Sequence, residues 1–261
     1  MTPTPSKTPT PTPTLPPTLT PTPDLGPERS EIGYSLLGQP IEVIRFGNGA
    51  NALIFVGGIH AGFAPGSVTL AEQAVTYFSE NLHEVPALVT LYIIPSVNPD
   101  SPRAPGQLRG RLNAHGVDLN RNWPCEWSED ASYEGFVIQG LGGSAPLSEP
   151  ETDSLATFIM QTEPAVVAFW TGGSVSGFVS PGGCGTQSSV SVGLLQTYGS
   201  AAGYHMGNFE QLTQQEINGD ATNWLDQQGI PSIFVLLPGY KSADWNDNLA
   251  AIKAVLDNYS R

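Results

Sequence analysis

The chain has 261 residues, with 24 acidic against 10 basic side chains, a formal net charge of −14 and only 13% charged residues. That length suits one large domain or two small ones, and so few charges exclude a coiled coil or a solvated helical rod. The negative balance argues against nucleic acid and against anionic membrane surfaces as partners, because both begin by neutralising phosphates or anionic headgroups.

Residues 1–23 hold nine Thr and nine Pro, as in Thr8-Pro9-Thr10-Pro11-Thr12-Pro13. Proline fixes φ and removes backbone donors, so neither helix nor sheet is expected there. The expectation is a semi-rigid polyproline II spacer of roughly 3.1 Å per residue, of the composition seen in O-glycosylated stalks. Residues 1–28 are read as a disordered Thr/Pro-rich stalk or linker, and 29–261 as one α/β domain. No basic-then-apolar leader is visible, and no apolar run of about 18 residues would span a bilayer. A stalk needs an anchor, so a secretory or anchoring segment is expected upstream of Met1, and the expected location is extracellular or at the cell surface.

From residue 29 onward, strands and helices alternate. Strands are predicted at 39–46, 51–56, 87–95, 165–170 and 232–237, all apolar runs rich in β-branched or aromatic residues. Helices are predicted at 68–82, 150–161 and 244–259 from apolar residues at helical spacing, such as Leu70, Ala74, Val75, Phe78 and Leu82. Alternating buried strands and amphipathic helices give an α/β fold, with helices on both faces of a parallel or mixed sheet. Cys125 and Cys184 lie in Gly/Pro/Ser-rich loops, and with an extracellular stalk a disulfide between them is expected.

Three stretches carry chemistry. The first is Gly57-Gly58-Ile59-His60-Ala61-Gly62, where a buried strand opens into a Gly-rich loop. The second runs from Asn98-Pro99-Asp100 to Arg109-Gly110-Arg111-Leu112-Asn113-Ala114-His115-Gly116-Val117-Asp118-Leu119-Asn120-Arg121-Asn122-Trp123. The third is Ser148-Glu149-Pro150-Glu151-Thr152. With Gly219-Asp220-Ala221-Thr222-Asn223-Trp224-Leu225, these stretches make the sequence resemble the zinc carboxypeptidases of the carboxypeptidase A-like type, over roughly residues 32–257.

The resemblance implies a mixed, twisted central sheet of about eight strands with helices on both faces. It also implies a catalytic Zn²⁺ held by two His and one Glu, a separate Glu as general base, and Arg residues for the oxyanion and the substrate's terminal carboxylate. The first ligand falls on His60. The Glu ligand falls on Phe63 or Ala64, the second His on Trp170 and the general base on Leu236. Phe63, Trp170 and Leu236 are expected to fill and dry the metal's cavity, leaving His60 as a hydrogen-bonded remnant. None of His83, His115 and His205 lies where the resemblance places a ligand. Arg111 matches the oxyanion Arg, and Asn120 and Arg121 match the carboxylate-gripping pair. Together with Arg103 and Arg109 they are expected to form a local positive pocket. Gly172–Gly177 lacks the Gly-x-Ser-x-Gly spacing of a nucleophile elbow, and no partner His/Asp pair is evident from the sequence.

The expected function is therefore a degenerate, catalytically inactive carboxypeptidase-like domain that binds peptide C-termini or cell-wall stem-peptide carboxylates, with no cofactor. The alternative is an active zinc metallocarboxypeptidase with unconventional ligands. A surface domain that binds nothing in its pocket is the third possibility.

Overall fold

A computed structural model describes residues 25–185, 190–214 and 217–260; the Thr/Pro-rich segment 1–23 lies outside the described residues. In chain order the elements are β1 (Glu28–Tyr34), β2 (Pro40–Gly47), β3 (Asn51–Val56), α1 (Pro65–Glu80), β4 (Val89–Ile94), β5 (Ala131–Tyr133), β6 (Phe136–Ile138), α2 (Pro150–Thr162), β7 (Val166–Ser174), β8 (Phe178–Pro181), α3 (Val192–Ala202), β9 (His205–Met206), α4 (Phe209–Thr213), α5 (Ala221–Gln227), β10 (Ser232–Pro238) and α6 (Trp245–Asn258).

Eight strands form one mixed sheet in the order β1-β2-β4-β3-β7-β10-β8-β9. The inner four are parallel, β4 to β3 to β7 to β10, and each sequence-predicted strand overlaps one of the strands in this sheet. Strand alternation divides their side chains between two cores. Val166, Ala168 and Trp170 of β7 pack with α1, α3 and α6. Val167 and Phe169 pack with α2 and α5 on the other face. The helices begin where their sequences permit. Pro65 and Pro150 stand in the first turns of α1 and α2, where the missing N–H has no partner to lose. Glu151 and Asp153 in the first turn of α2 suit the positive end of the helix.

The structure departs from the sequence reading at β7. The expected end at Trp170 moves to Ser174, because β10 continues to pair alongside it, with Leu236 opposite Thr171 and Pro238 opposite Ser174. Backbone pairing carries the strand through Thr171-Gly172-Gly173, a stretch with little strand propensity of its own. The expected disulfide is present. Cys125 and Cys184, 59 residues apart, lie with Cα atoms 5.8 Å from each other.

Candidate functional site

The site gathers at the C-terminal ends of the parallel strands, where open α/β sheets place their ligands. β3 ends in Gly57-Gly58. Gly58 has φ +60°, and a Cβ there would stand 2.7 Å from Ser96 Cα. Only glycine fits this turn, which delivers the next loop residues to the neighbouring strand ends. His60 follows, fully buried.

A second loop brings the acid. Asn113 Oδ1 accepts from the amides of His115 and Val117, folding a tight turn that pairs Leu112 with Asp118. Arg111 and Asp118 thereby stand side by side, and Arg111 Nε donates to Asp118 Oδ2 at 2.6 Å. Asp118 Oδ1 accepts from the Asn120 amide at 3.0 Å and meets His60 Nε2 at 2.9 Å. The other ring nitrogen, Nδ1, lies 3.2 Å from Thr171 Oγ1 on β7. Burial alone would raise the Asp118 carboxyl, but Arg111 and then His60 reverse this and hold it well below the usual carboxylate range. Burial, reinforced by the charge of Arg111, pushes His60 from 6.5 down to about 4 in spite of Asp118.

The Arg111 guanidinium lies 5.3 Å from the ring centre of Phe63 and 5.3 Å from that of Tyr133. Phe63 meets Tyr240 edge-on at 4.9 Å. Among the described residues the Arg111 side chain makes one hydrogen bond, through Nε. Arg111 and Phe63, together with Arg121, Thr171, Leu236 and Tyr240, line a cavity of about 210 Å³. Burial pushes the Tyr133 phenol up to about 12, so the ring beside Arg111 stays neutral.

Phe63 and Leu236 stand on this cavity as expected, whereas Trp170 does not. Trp170 stacks on Phe55 at 5.4 Å and donates to Tyr198 Oη at 2.8 Å, in the core on the opposite face of the sheet. A shift of one residue along a strand exchanges faces, so the side chain beside His60 is Thr171. The positive pocket is also smaller than expected. Arg103 and Arg109 are exposed, and only Arg111 and Arg121 line the cavity. Asn120 donates to Asp220 Oδ2 and accepts from the Ala221 amide. Arg121 donates to the carbonyls of Ser132 and Asn120. Both therefore brace the cavity wall. Ala64 is buried and its amide bonds the His60 carbonyl. His115 pairs with Glu149 at 2.7 Å, and His205 is exposed on β9.

Sequence reasoning missed Thr171, Tyr133 and Tyr240. Thr171 was available from the period-two pattern Val167, Phe169, Thr171. Tyr133 sits in a three-residue strand with no distinguishing signal.

The residues beside His60 do not fit zinc. Phe63 offers hydrocarbon, Thr171 a neutral hydroxyl, and Asp118 is already shared by His60 and Arg111. Among the described residues no group of three or more His, Cys, Asp or Glu could hold a metal ion.

The peptidase M14 family, zinc carboxypeptidase, matches residues 27–226. The chain belongs to the zinc carboxypeptidase family. Carboxypeptidase B of Astacus astacus is 25% identical over 157 residues, 54% of this chain and 52% of the relative. Murein peptide amidase A of Escherichia coli K12 is 39% identical over 95 residues, 32% of this chain and 37% of the relative. The chain thus spans about half or less of the length of these curated relatives. Among solved structures, bovine thrombin-activatable fibrinolysis inhibitor, in complex with tick carboxypeptidase inhibitor, superposes with TM-score 0.72 at 20% identity, over 89% of this chain and 90% of that one. Murein-tripeptide amidase from Escherichia coli O157 superposes with TM-score 0.62 at 24% identity, over 89% and 93%. The family match over residues 27–226 establishes the family, and the superpositions establish the fold.

Proposed function

We propose that this zinc-carboxypeptidase-family domain has lost zinc-dependent peptide hydrolysis and binds peptide C-termini, or similar carboxylates, outside the cell. The observation that carries the reading is Arg111. Its Nε is fixed by Asp118 and its faces lie against Phe63 and Tyr133, while the positions expected for an acidic ligand and a general base hold Phe63 and Leu236. The end of the guanidinium remains as a two-pronged donor on the cavity wall, the geometry that suits a carboxylate. The apolar lining of Phe63, Leu236 and Tyr240 favours a terminal residue with a hydrophobic side chain. Asn120 and Arg121 hold the wall, and Arg121 adds charge behind it. The murein peptide relatives support a cell-wall stem peptide as the ligand source. The disulfide and the Thr/Pro-rich segment support an extracytoplasmic location.

Calorimetric titration with short peptides ending in Phe or Ala, as free acids and as C-terminal amides, tests this. Binding of the acids and not the amides is expected, with loss in Arg111→Met. Equal or absent binding of both forms refutes the reading. Stoichiometric zinc in the purified protein, with chelator-sensitive release of C-terminal residues, would replace it with an active metallocarboxypeptidase.

A further inference from the structure

We propose that Thr171 is a nucleophile, with His60 as its general base and Asp118 as the positioning residue, which takes an acyl group from small activated esters without a metal. The argument starts from the tautomer of His60. Asp118 is ionised, because Arg111 donates to it at 2.6 Å, and an ionised carboxylate only accepts. The hydrogen between His60 Nε2 and Asp118 Oδ1, 2.9 Å apart, therefore belongs to Nε2. In a neutral imidazole this leaves Nδ1 as the acceptor, so the Thr171 hydroxyl, 3.2 Å away, donates to it. A hydroxyl bonded to the bare nitrogen of an imidazole, whose far side is held by a carboxylate, is the arrangement that makes an alcohol nucleophilic.

The three groups come from three separate places in the chain: the loop after β3, the Arg111–Asp118 turn and the extension of β7. Thr171 lines the same cavity of about 210 Å³ as Arg111. Arg111, bonded among the described residues through Nε alone, supplies positive charge on that cavity for an acyl oxygen that becomes negative. The step shares the Arg111 guanidinium with the proposed carboxylate binding, but its probe carries no carboxylate, so the two readings can fail separately.

The step balances without further reagents. Thr171 Oγ1 forms a bond to the ester carbonyl carbon and gives its proton to His60 Nδ1. The carbon–oxygen bond to the leaving group breaks, and the departing alkoxide or phenoxide takes that proton. This leaves O-acyl-Thr171. Water then adds to the acyl carbon and gives a proton to Nδ1, and Thr171 Oγ1 leaves and recovers it, releasing the carboxylic acid. Because the His60 ring is fully buried, placing a proton and a charge on it is costly, so a donor whose leaving group departs readily, such as an aryl ester, is required.

The full chain is incubated with p-nitrophenyl acetate at neutral pH. Release of p-nitrophenolate is followed, and acylated residues are mapped by peptide mass spectrometry. The expected result is release above the buffer reaction with acetyl on Thr171. Release should fall about 100-fold or more in Thr171→Val and in His60→Gln, and persist in Thr171→Ser. No release above buffer, acetyl found only on other residues, or unchanged release in Thr171→Val overturns the proposal. Mapping on the unaltered chain decides between these outcomes even if a variant fails to fold.

Discussion

Asp118→Asn isolates the charge on which the site is built, since it keeps the side-chain volume and removes only the negative charge. Oδ1 receives two donors, His60 Nε2 and the Asn120 amide, and Oδ2 receives Arg111 Nε. The amide oxygen of asparagine can replace Oδ1. Its NH₂ then faces Arg111 Nε, donor against donor. Arg111, with its side chain 11% exposed, loses its only bonded counter-charge among the described residues. Removing one partner of such a buried pair is destabilising by about 3–5 kcal/mol. With a urea slope of about 3 kcal/mol/M for a domain of this size, the unfolding midpoint should fall by about 1–1.7 M. Arg111→Met, made alone and with Asp118→Asn, completes a double-mutant cycle, and the two changes should couple by about 2 kcal/mol or more. A midpoint shift below about 0.4 M, or additive single changes, would refute the reasoning that Asp118 exists to hold Arg111 and His60.

Stability should also follow pH in a defined window. Below pH 6.5 the unfolded chain protonates His60 while the native state refuses the proton until about pH 4. Stability should therefore fall across that interval by about 3 kcal/mol, followed by thermal melts, with a flatter profile in His60→Gln. The Asp118 carboxylate, held low in the fold, adds a further loss at still lower pH. Opening the Cys125–Cys184 bridge releases a loop of 59 residues, worth about 4 kcal/mol in chain entropy, so Cys184→Ser should unfold at a markedly lower temperature, with no such shift for the wild type until reductant is added. Phe63→Glu with Thr171→His should bind zinc more tightly than Phe63→Glu with Trp170→His, measured by competition with a chromogenic chelator. The reverse order would contradict the placement of Trp170 behind the sheet. Trp170→His should instead be destabilising by about 3–5 kcal/mol through lost packing and the orphaned Tyr198 contact.

The central strands were legible because burial on both faces demands continuous apolar runs. Asn51–Val56 is a strand with the bounds its composition indicates. The long helices were legible through their periodicity. The expected eight-stranded mixed sheet is the one observed. Strands outside that pattern were not legible. β1 is polar and exposed and is held by pairing with β2, while β9 is two residues long. At the site, sequence placed Phe63, Arg111 and Leu236 on the cavity, because each lies in a motif or at a fixed distance from one, while His60 is fully buried and reaches the cavity wall only through Thr171. It misplaced Trp170, since composition cannot tell where along an apolar run the strand should be anchored, and one position decides the face. It also gave Asp118 no connection to His60. Fifty-eight residues separate them, and only the fold brings them together.

The two borders of the main sheet bear on how separate copies of this protein behave at high concentration. One border is β1, whose Glu28, Arg29 and Glu31 are exposed and charged. The other is β9, just His205-Met206. A ladder grows from chain to chain when a long, bare, uncharged strand lies open to a neighbour. Here one margin carries charged side chains, two of them paired with β2, and the other is too brief to template a further strand, so neither border offers the open ladder that stacking needs.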